Sequence, residues 1–282
     1  MPETKSDKVA VYSTSALKGK VAIITGAGSG IGQGIAYGFS QVGADVVIAD
    51  INGNAGKETA EKIHAAGGKA LAIETDAINF EQVERMAEKT LAEFGKIDIL
   101  VNNAGGGRGQ DFPVVDTPEE TYDRVLDGNL KSVFQCMKAI APKMTKNGAI
   151  ISIASRAGMG PTPFCAPYAA AKAGIINFTE SMAVQLAPIR VNVIAPGLII
   201  TPGSARHGLF EEAVVRNRGI LLGRGGRPDD IACTAIFLAS DASQYITGTT
   251  ISVAGGCTFG KQMLEQAQRA WQLSEKHYKK RD

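Results

Sequence analysis

Only 6% of the 282 residues are aromatic, with a single tryptophan, so any core must be built from aliphatic and small side chains. No apolar run approaches the ~18 residues of a membrane-spanning helix, and the polar start does not resemble a secretory signal. The four cysteines (Cys136, Cys165, Cys233, Cys257) lack the short spacings of a zinc site. The three histidines form neither H-x-x-H nor H-E-x-x-H, so no metal is expected. Reduced cysteines and a cytoplasmic location are the default for such a chain. The net charge is +2, and the basic residues form no stripe of the kind a nucleic-acid groove needs. No proline- or serine-rich linker divides the chain, which argues against several domains.

Glycine is plentiful (33 residues), and 44% of the chain is hydrophobic. Both suit a parallel sheet of Val, Ile and Ala with tight turns between strands and helices. Strands are expected over 21–25, 45–49, 69–74, 99–102, 149–152, 191–195 and 250–253. Helices are expected over 30–42, 54–66, 80–94, 118–144, 167–187, 211–217 and 228–238. Such alternation predicts one doubly wound α/β (Rossmann) domain with a seven-stranded parallel sheet over 17–256. Extensions flank it at 1–16 and 257–282. The loose segment 197–226 follows the sixth strand at the ligand-binding edge and reads as a lid.

The apolar run Val21-Ala22-Ile23-Ile24 leads directly into Thr25-Gly26-Ala27-Gly28-Ser29-Gly30-Ile31-Gly32. Strand, glycine-rich turn and helix together describe a dinucleotide cradle. Gly26 takes the turn, Gly28 and Gly30 leave backbone amides open to a pyrophosphate, and the helix N-terminus favours the anion. The absence of a following Lys-Ser/Thr argues against a P-loop nucleotide hydrolase. The second strand runs into Asp50, about twenty residues further on, where a carboxylate can accept from both ribose hydroxyls and repel a 2′-phosphate. NAD is therefore expected over NADP. Ile51 belongs to the same cofactor edge, and Asp76 with Ala77 after the third strand is a candidate for the adenine side.

Tyr168 and Lys172 lie four residues apart and share a helical face. A neighbouring ammonium favours the phenolate, which suits a phenol to proton transfer. Asn102-Asn103-Ala104-Gly105 closes the fourth strand, with Asn103, Ala104 and Gly105 as cofactor contacts. Asn129 interrupts a long helical stretch in which asparagine has no propensity reason to be. Ser155 follows the fifth strand, where its hydroxyl can donate to a substrate oxygen.

Taken together these motifs resemble the short-chain dehydrogenase/reductase family over about 17–256. Asn192-Val193-Ile194-Ala195-Pro196-Gly197 with Thr201 adds to the likeness, as does the thirteen-residue step from Ser155 to Tyr168. The resemblance implies Tyr168 as general acid/base, Ser155 as the group that orients the carbonyl or alcohol, and Lys172 on the nicotinamide ribose. Asn129 would hold a water on the proton path. Gly26, Ser29, Gly30, Ile31, Pro196, Gly197, Ile199 and Thr201 would contact the cofactor. The reaction implied is hydride transfer between NAD and a secondary alcohol or carbonyl, and family habit implies a homotetramer, with a dimer as the alternative. Two departures stand out: the loop 186–190 is about two residues short, and Ala254 replaces an aspartate.

Residues expected to face substrate are Ser155, Arg156, Met159, Phe164, Arg206, His207 and Phe210, with Gly106, Gly107, Arg108, Pro163 and Ser204 around them. The cationic members and the scarcity of aromatics favour a polyol, sugar or sugar acid. The alternatives are a reductase of hydrophobic ketones, hydroxysteroids or 3-oxoacyl substrates, and a catalytically silent nucleotide-binding scaffold. In the tail, Met263, Ala267, Trp271, Ser274 and Tyr278 form one helical stripe suited to packing on the body or on another subunit.

Overall fold

The computed structural model describes residues 13–106, 116–162, 165–206 and 220–257. Some expected elements fall beyond these: the start of the N-terminal extension, the helix over 211–217 and the tail stripe lie outside the described residues, as do Gly107, Arg108, Pro163, Phe164, His207 and Phe210. Seven apolar runs become the strands of one parallel sheet: β1 Val21–Thr25, β2 Asp45–Asp50, β3 Ala70–Glu74, β4 Ile99–Asn102, β5 Ala149–Ile153, β6 Arg190–Pro196 and β7 Thr250–Val253. Their order is β3-β2-β1-β4-β5-β6-β7. The direction of winding reverses between β1 and β4, which opens a crevice at their carboxyl ends.

Both faces of the sheet are buried, which explains why the strands are apolar throughout rather than alternating. Ala22, Ile24, Val46, Ile48, Ile99, Val101, Ile151 and Ile194 point into one core with Ile35, Phe39, Ile63, Ile231 and Leu238. Ile23, Val47, Leu100, Ile150, Val191 and Val193 point into the other with Val83, Met86, Val133, Met137, Ile140 and Ile175. Helices α1 Gly30–Gln41 and α2 Gly53–Ala65 therefore cover the first face, with a later helix, 228–239, beside them. Helices α3 Phe80–Phe94, α4 Glu119–Leu126, α5 Ser132–Ile140 and α6 Ala166–Gln185 lie on the second side of the chain's path. Short α7 Pro202–Arg206 and α8 Pro228–Ala239 follow β6.

Local chemistry sets the helix ends. Asn52 Oδ1 accepts from Ala55 N at 3.1 Å and starts α2. Asn79 Oδ1 does the same for Gln82 N and starts α3, and Gly95, at φ +77°, ends it in the left-handed conformation. Arg190 caps the far end of α8: Nη1 donates to Leu238 O at 2.7 Å and Nη2 to Ser240 O at 3.2 Å.

The single helix expected over 118–144 is instead three pieces, with a π-turn at Asp127–Lys131 between α4 and α5 and a 3₁₀ turn at Ala141–Lys143. Asn129 Nδ2 donates to Val125 O at 2.9 Å, the acceptor that an uninterrupted helix reserves for the backbone N–H of the same residue. Ser132 Oγ donates to the Gly128 and Asn129 carbonyls and satisfies the displaced acceptors. Within the loose segment, Pro202-Gly203 is the first turn of α7. Thr201 and Ser204 cap it reciprocally, Ser204 N donating to Thr201 Oγ1 and Thr201 N to Ser204 Oγ.

Candidate active site

The crevice between β1 and β4 is laced together by one hydroxyl. Thr25 Oγ1 accepts from the backbone N of Asn103 and of Ala104, each at 3.0 Å. Asn103 Nδ2 answers by donating to the carbonyls of Thr25 and Gly26 at 2.9 and 3.0 Å. The glycine turn and the Asn102–Gly105 loop are thus one rigid rim. Sequence reasoning passed over Thr25; its signal is a β-branched hydroxyl at the last position of an otherwise apolar strand.

The turn fits a dinucleotide. Gly30 has φ +60° and carries no side chain beside Thr201, whose Cγ2 would lie 3.6 Å from a Cβ there. Ser29 precedes α1 and makes no side-chain cap, so the N–H groups of the first turn stay available to an anion. Gly28 has a different reason from the one expected. A Cβ there would stand 2.8 Å from Asp50 Oδ2 and 2.9 Å from Ala55 Cβ, so its space is already taken by protein. Behind the turn, Gln33 Nε2 donates to Gly28 O and to Thr59 Oγ1. Neither residue stood out in the sequence.

Asp50 is oriented by two backbone amides: Oδ2 accepts from Gly28 N at 2.8 Å and Oδ1 from Asn52 N at 2.9 Å. Each carboxylate oxygen keeps a further lone pair for a ribose hydroxyl. The β3 end lies alongside, with Thr75 N donating to Asp50 O. Asp76 Oδ1 accepts from Ile78 N at 3.1 Å, Ala77 is buried, and Ile51 is exposed, giving this edge an apolar face. On the opposite rim, Gly197 N donates to Val253 O just past Pro196, and Ile199 is buried. Ile31, in the first turn of α1, packs against the first core.

The residues expected to react are carried by the end of β5, α6 and the π-turn, and α6 packs against both the π-turn and the turn after β5. Ser155 Oγ accepts from Ala157 N at 3.1 Å and starts the 3₁₀ turn Arg156–Met159, leaving its own O–H to donate. That turn packs directly on α6: a Cβ on Gly158 would lie 2.5 Å from the Lys172 carbonyl carbon. Lys172 is 4% exposed, and Nζ donates to Ile153 O at 3.0 Å. The same ammonium lies 5.6 Å from the centroid of the Tyr168 ring, one turn back. Burial lowers the Lys172 pKa to about 8. Two of its three N–H donors are left for ribose hydroxyls.

Asn129 is more committed than expected. Its Oδ1 accepts from Gly106 N at 3.0 Å, and Nδ2 donates to both Gly106 O and Val125 O. Both amide protons are used, so one Oδ1 lone pair is left for a water. Of the residues expected to face substrate, Arg156 and Met159 share the turn after Ser155, with Arg156 Nη1 3.3 Å from Met159 Sδ. Ser204 is spent on the α7 cap. Arg206 ends α7, and its side chain lies outside what is described.

This arrangement supplies a cradle for a dinucleotide beside a hydroxyl, a phenol and a buried lysine, which is equipment for moving a hydride and a proton. Comparison with known proteins agrees. The family described as Enoyl-(Acyl carrier protein) reductase matches residues 26–258. A 3-oxoacyl-acyl-carrier-protein reductase of Thermotoga maritima is 39% identical over 244 residues, covering 85% of this chain and 98% of that protein. The 7alpha-hydroxysteroid dehydrogenase of Escherichia coli K12 is 39% identical over 246 residues, covering 85% and 94%. A solved 7 alpha-hydroxysteroid dehydrogenase, complexed with NADH and 7-oxo glycochenodeoxycholic acid, superposes with TM-score 0.80 at 37% identity, covering 86% of this chain and 96% of that one. The chain belongs to the short-chain dehydrogenase/reductase family and is an NAD-dependent oxidoreductase of that family.

Proposed function

We propose that the enzyme interconverts a secondary alcohol and a ketone on an aliphatic, hydrophobic molecule of the hydroxysteroid or 3-oxoacyl class. The relatives named above support this alternative over the polyol or sugar reading. The scarcity of aromatics was a poor guide because steroids and acyl chains are themselves aliphatic and pack on aliphatic side chains. The observation that carries the substrate reading is Met159, 43% exposed on the turn that Ser155 begins. A flexible thioether there gives an adaptable apolar wall.

In this reading Ser155 holds the substrate oxygen and Tyr168 gives or takes its proton. Lys172 keeps the phenol poised and grips the ribose, while Asn129 positions water through its free lone pair. Asp50, the glycine turn, the Asn103–Gly105 loop, Asp76 with Ala77 and Ile51, and Pro196 to Thr201 hold NAD. The nicotinamide supplies the hydride chemistry when bound. The segment 197–226 serves as the lid, a role supported by the pairing of its two ends, Ile200 N to Gly226 O at 2.8 Å and Gly226 N to Leu198 O at 2.9 Å.

We also propose a cytoplasmic homotetramer. Exposed Phe134 and Val184, on α5 and α6, support burial of that face against a second copy. Among the described residues no helix is long and apolar enough to cross a membrane. Initial rates with NAD on cholate and on a 3-hydroxyacyl thioester, against sorbitol and glucose, test the substrate reading; a preference for the polyols would overturn it.

A further inference from the structure

Arg156 stands one residue after Ser155 and opens the 3₁₀ turn Arg156–Met159. Its guanidinium has one partner among the described residues, the Met159 sulfur at 3.3 Å from Nη1. A thioether is a weak acceptor and carries no charge. Nε is buried and has no hydrogen-bond acceptor. Ion pairs among the described residues are made by Arg85, Lys96, Lys131, Lys143 and Arg224, and none by Arg156.

The side chain is half-buried, and its buried Nε is a donor left without an acceptor, which is costly. Met159 holds the group in place without neutralising it. The planar fork matches a carboxylate through two parallel hydrogen bonds. Its contact with Met159, read above as a wall of the substrate site on the turn that Ser155 begins, sets the Arg156 guanidinium at the border of that site.

We propose that Arg156 determines specificity by binding a substrate carboxylate close to the reacting carbon. Within the class proposed above, the enzyme then prefers free hydroxy or oxo acids to their neutral esters and thioesters. The proposal rests on the reading of Ser155 and Tyr168 as the reacting centre.

The test compares 3-hydroxyoctanoate with its methyl ester as substrates with NAD, in wild type, Arg156→Gln and Arg156→Lys. The expected result is a wild-type preference for the acid in kcat/KM that falls at least tenfold in Arg156→Gln and partly returns in Arg156→Lys. A purely structural role would lower both substrates together and leave the ratio intact, which would overturn the proposal. So would a wild type that does not distinguish acid from ester. If neither compound is turned over, the hydrophobic-substrate reading fails, and binding still decides the role of Arg156. Octanoate and octanol are then titrated into the enzyme–NADH complex by calorimetry. At least tenfold weaker octanoate binding in Arg156→Gln, with octanol unaffected, supports the proposal; equal octanoate binding in both proteins contradicts it.

Discussion

Lys172 Nζ donates to the carbonyl of Ile153 at 3.0 Å. Through this bond α6 is tied to the end of β5 two residues before Ser155, and the ammonium is held near the Tyr168 ring at 5.6 Å from its centroid. One buried side chain thus fixes the relative placement of the two elements that carry the reacting groups.

Its burial has a consequence for stability. The Lys172 pKa falls from an ordinary 10.5 to about 8. Below pH 8 the lysine is charged in both folded and unfolded chains, and the desolvation cost is carried in full. Between pH 8 and 10.5 the unfolded chain holds a proton that the folded one has released, so stability rises with pH. Cys136 works in the opposite sense: burial pushes its thiol from 9.0 up to about 12, so stability is lost above pH 9 as unfolded thiols ionise. Comparison with Lys172→Met cancels the cysteine. The stability of the ligand-free wild type relative to that variant should rise by about 1–3 kcal/mol from pH 8 to 10.5, measured by urea unfolding. A flat difference would mean that Lys172 stays charged when buried.

Tyr168→Phe removes only the phenolic oxygen. Turnover should fall by about 10²–10⁴-fold, the usual contribution of a positioned acid or base, while NADH binding followed by fluorescence stays within a few-fold of wild type. Ser155→Ala should lower kcat in the same direction. Retained turnover in Tyr168→Phe would point to another proton donor.

Asp50→Asn keeps the size of the side chain and removes its charge. Hydrogen bonds to charged groups contribute about 1.5–3 kcal/mol, so KM for NAD should rise roughly 10–100-fold. Discrimination against NADP should shrink, because the carboxylate no longer repels a 2′-phosphate. Paired KM measurements for the two cofactors check this, and an unchanged ratio would remove Asp50 from the ribose site.

Asn129→Ala deletes three hydrogen bonds, to both groups of the Gly106 peptide and to the Val125 carbonyl. Leaving the buried Val125 carbonyl unpaired costs about 1–3 kcal/mol. Urea unfolding should show that loss, and kcat should fall as well because Gly106 and the adjoining cofactor loop lose their anchor. Normal stability with reduced kcat would instead assign Asn129 to the proton path alone.

Much of this was legible in the chain because its signals are local. Helix α3 runs from Phe80 to Phe94 as expected, since Asn79 caps one end and Gly95 ends the other. At the sheet edges β3 and β7 are only partly buried, and the central strands β1, β2, β4, β5 and β6 were readable as largely apolar runs buried on both faces. The break in the 118–144 helix was not, because it depends on Asn129 reaching Gly106, which lies 23 residues earlier in sequence. Thr25 was hidden for a similar reason: its partners, Asn103 and Ala104, arrive from β4. The segment after Pro196 looked loose, but the reciprocal Thr201–Ser204 cap starts a short helix at Pro202.

The most direct test of the account is initial-rate measurement with NAD on cholate and 3-hydroxyacyl substrates, in wild type and Tyr168→Phe side by side. The wild type should show NAD-linked oxidation, and the variant a loss of about 10²-fold or more. Equal rates in the two proteins would contradict it.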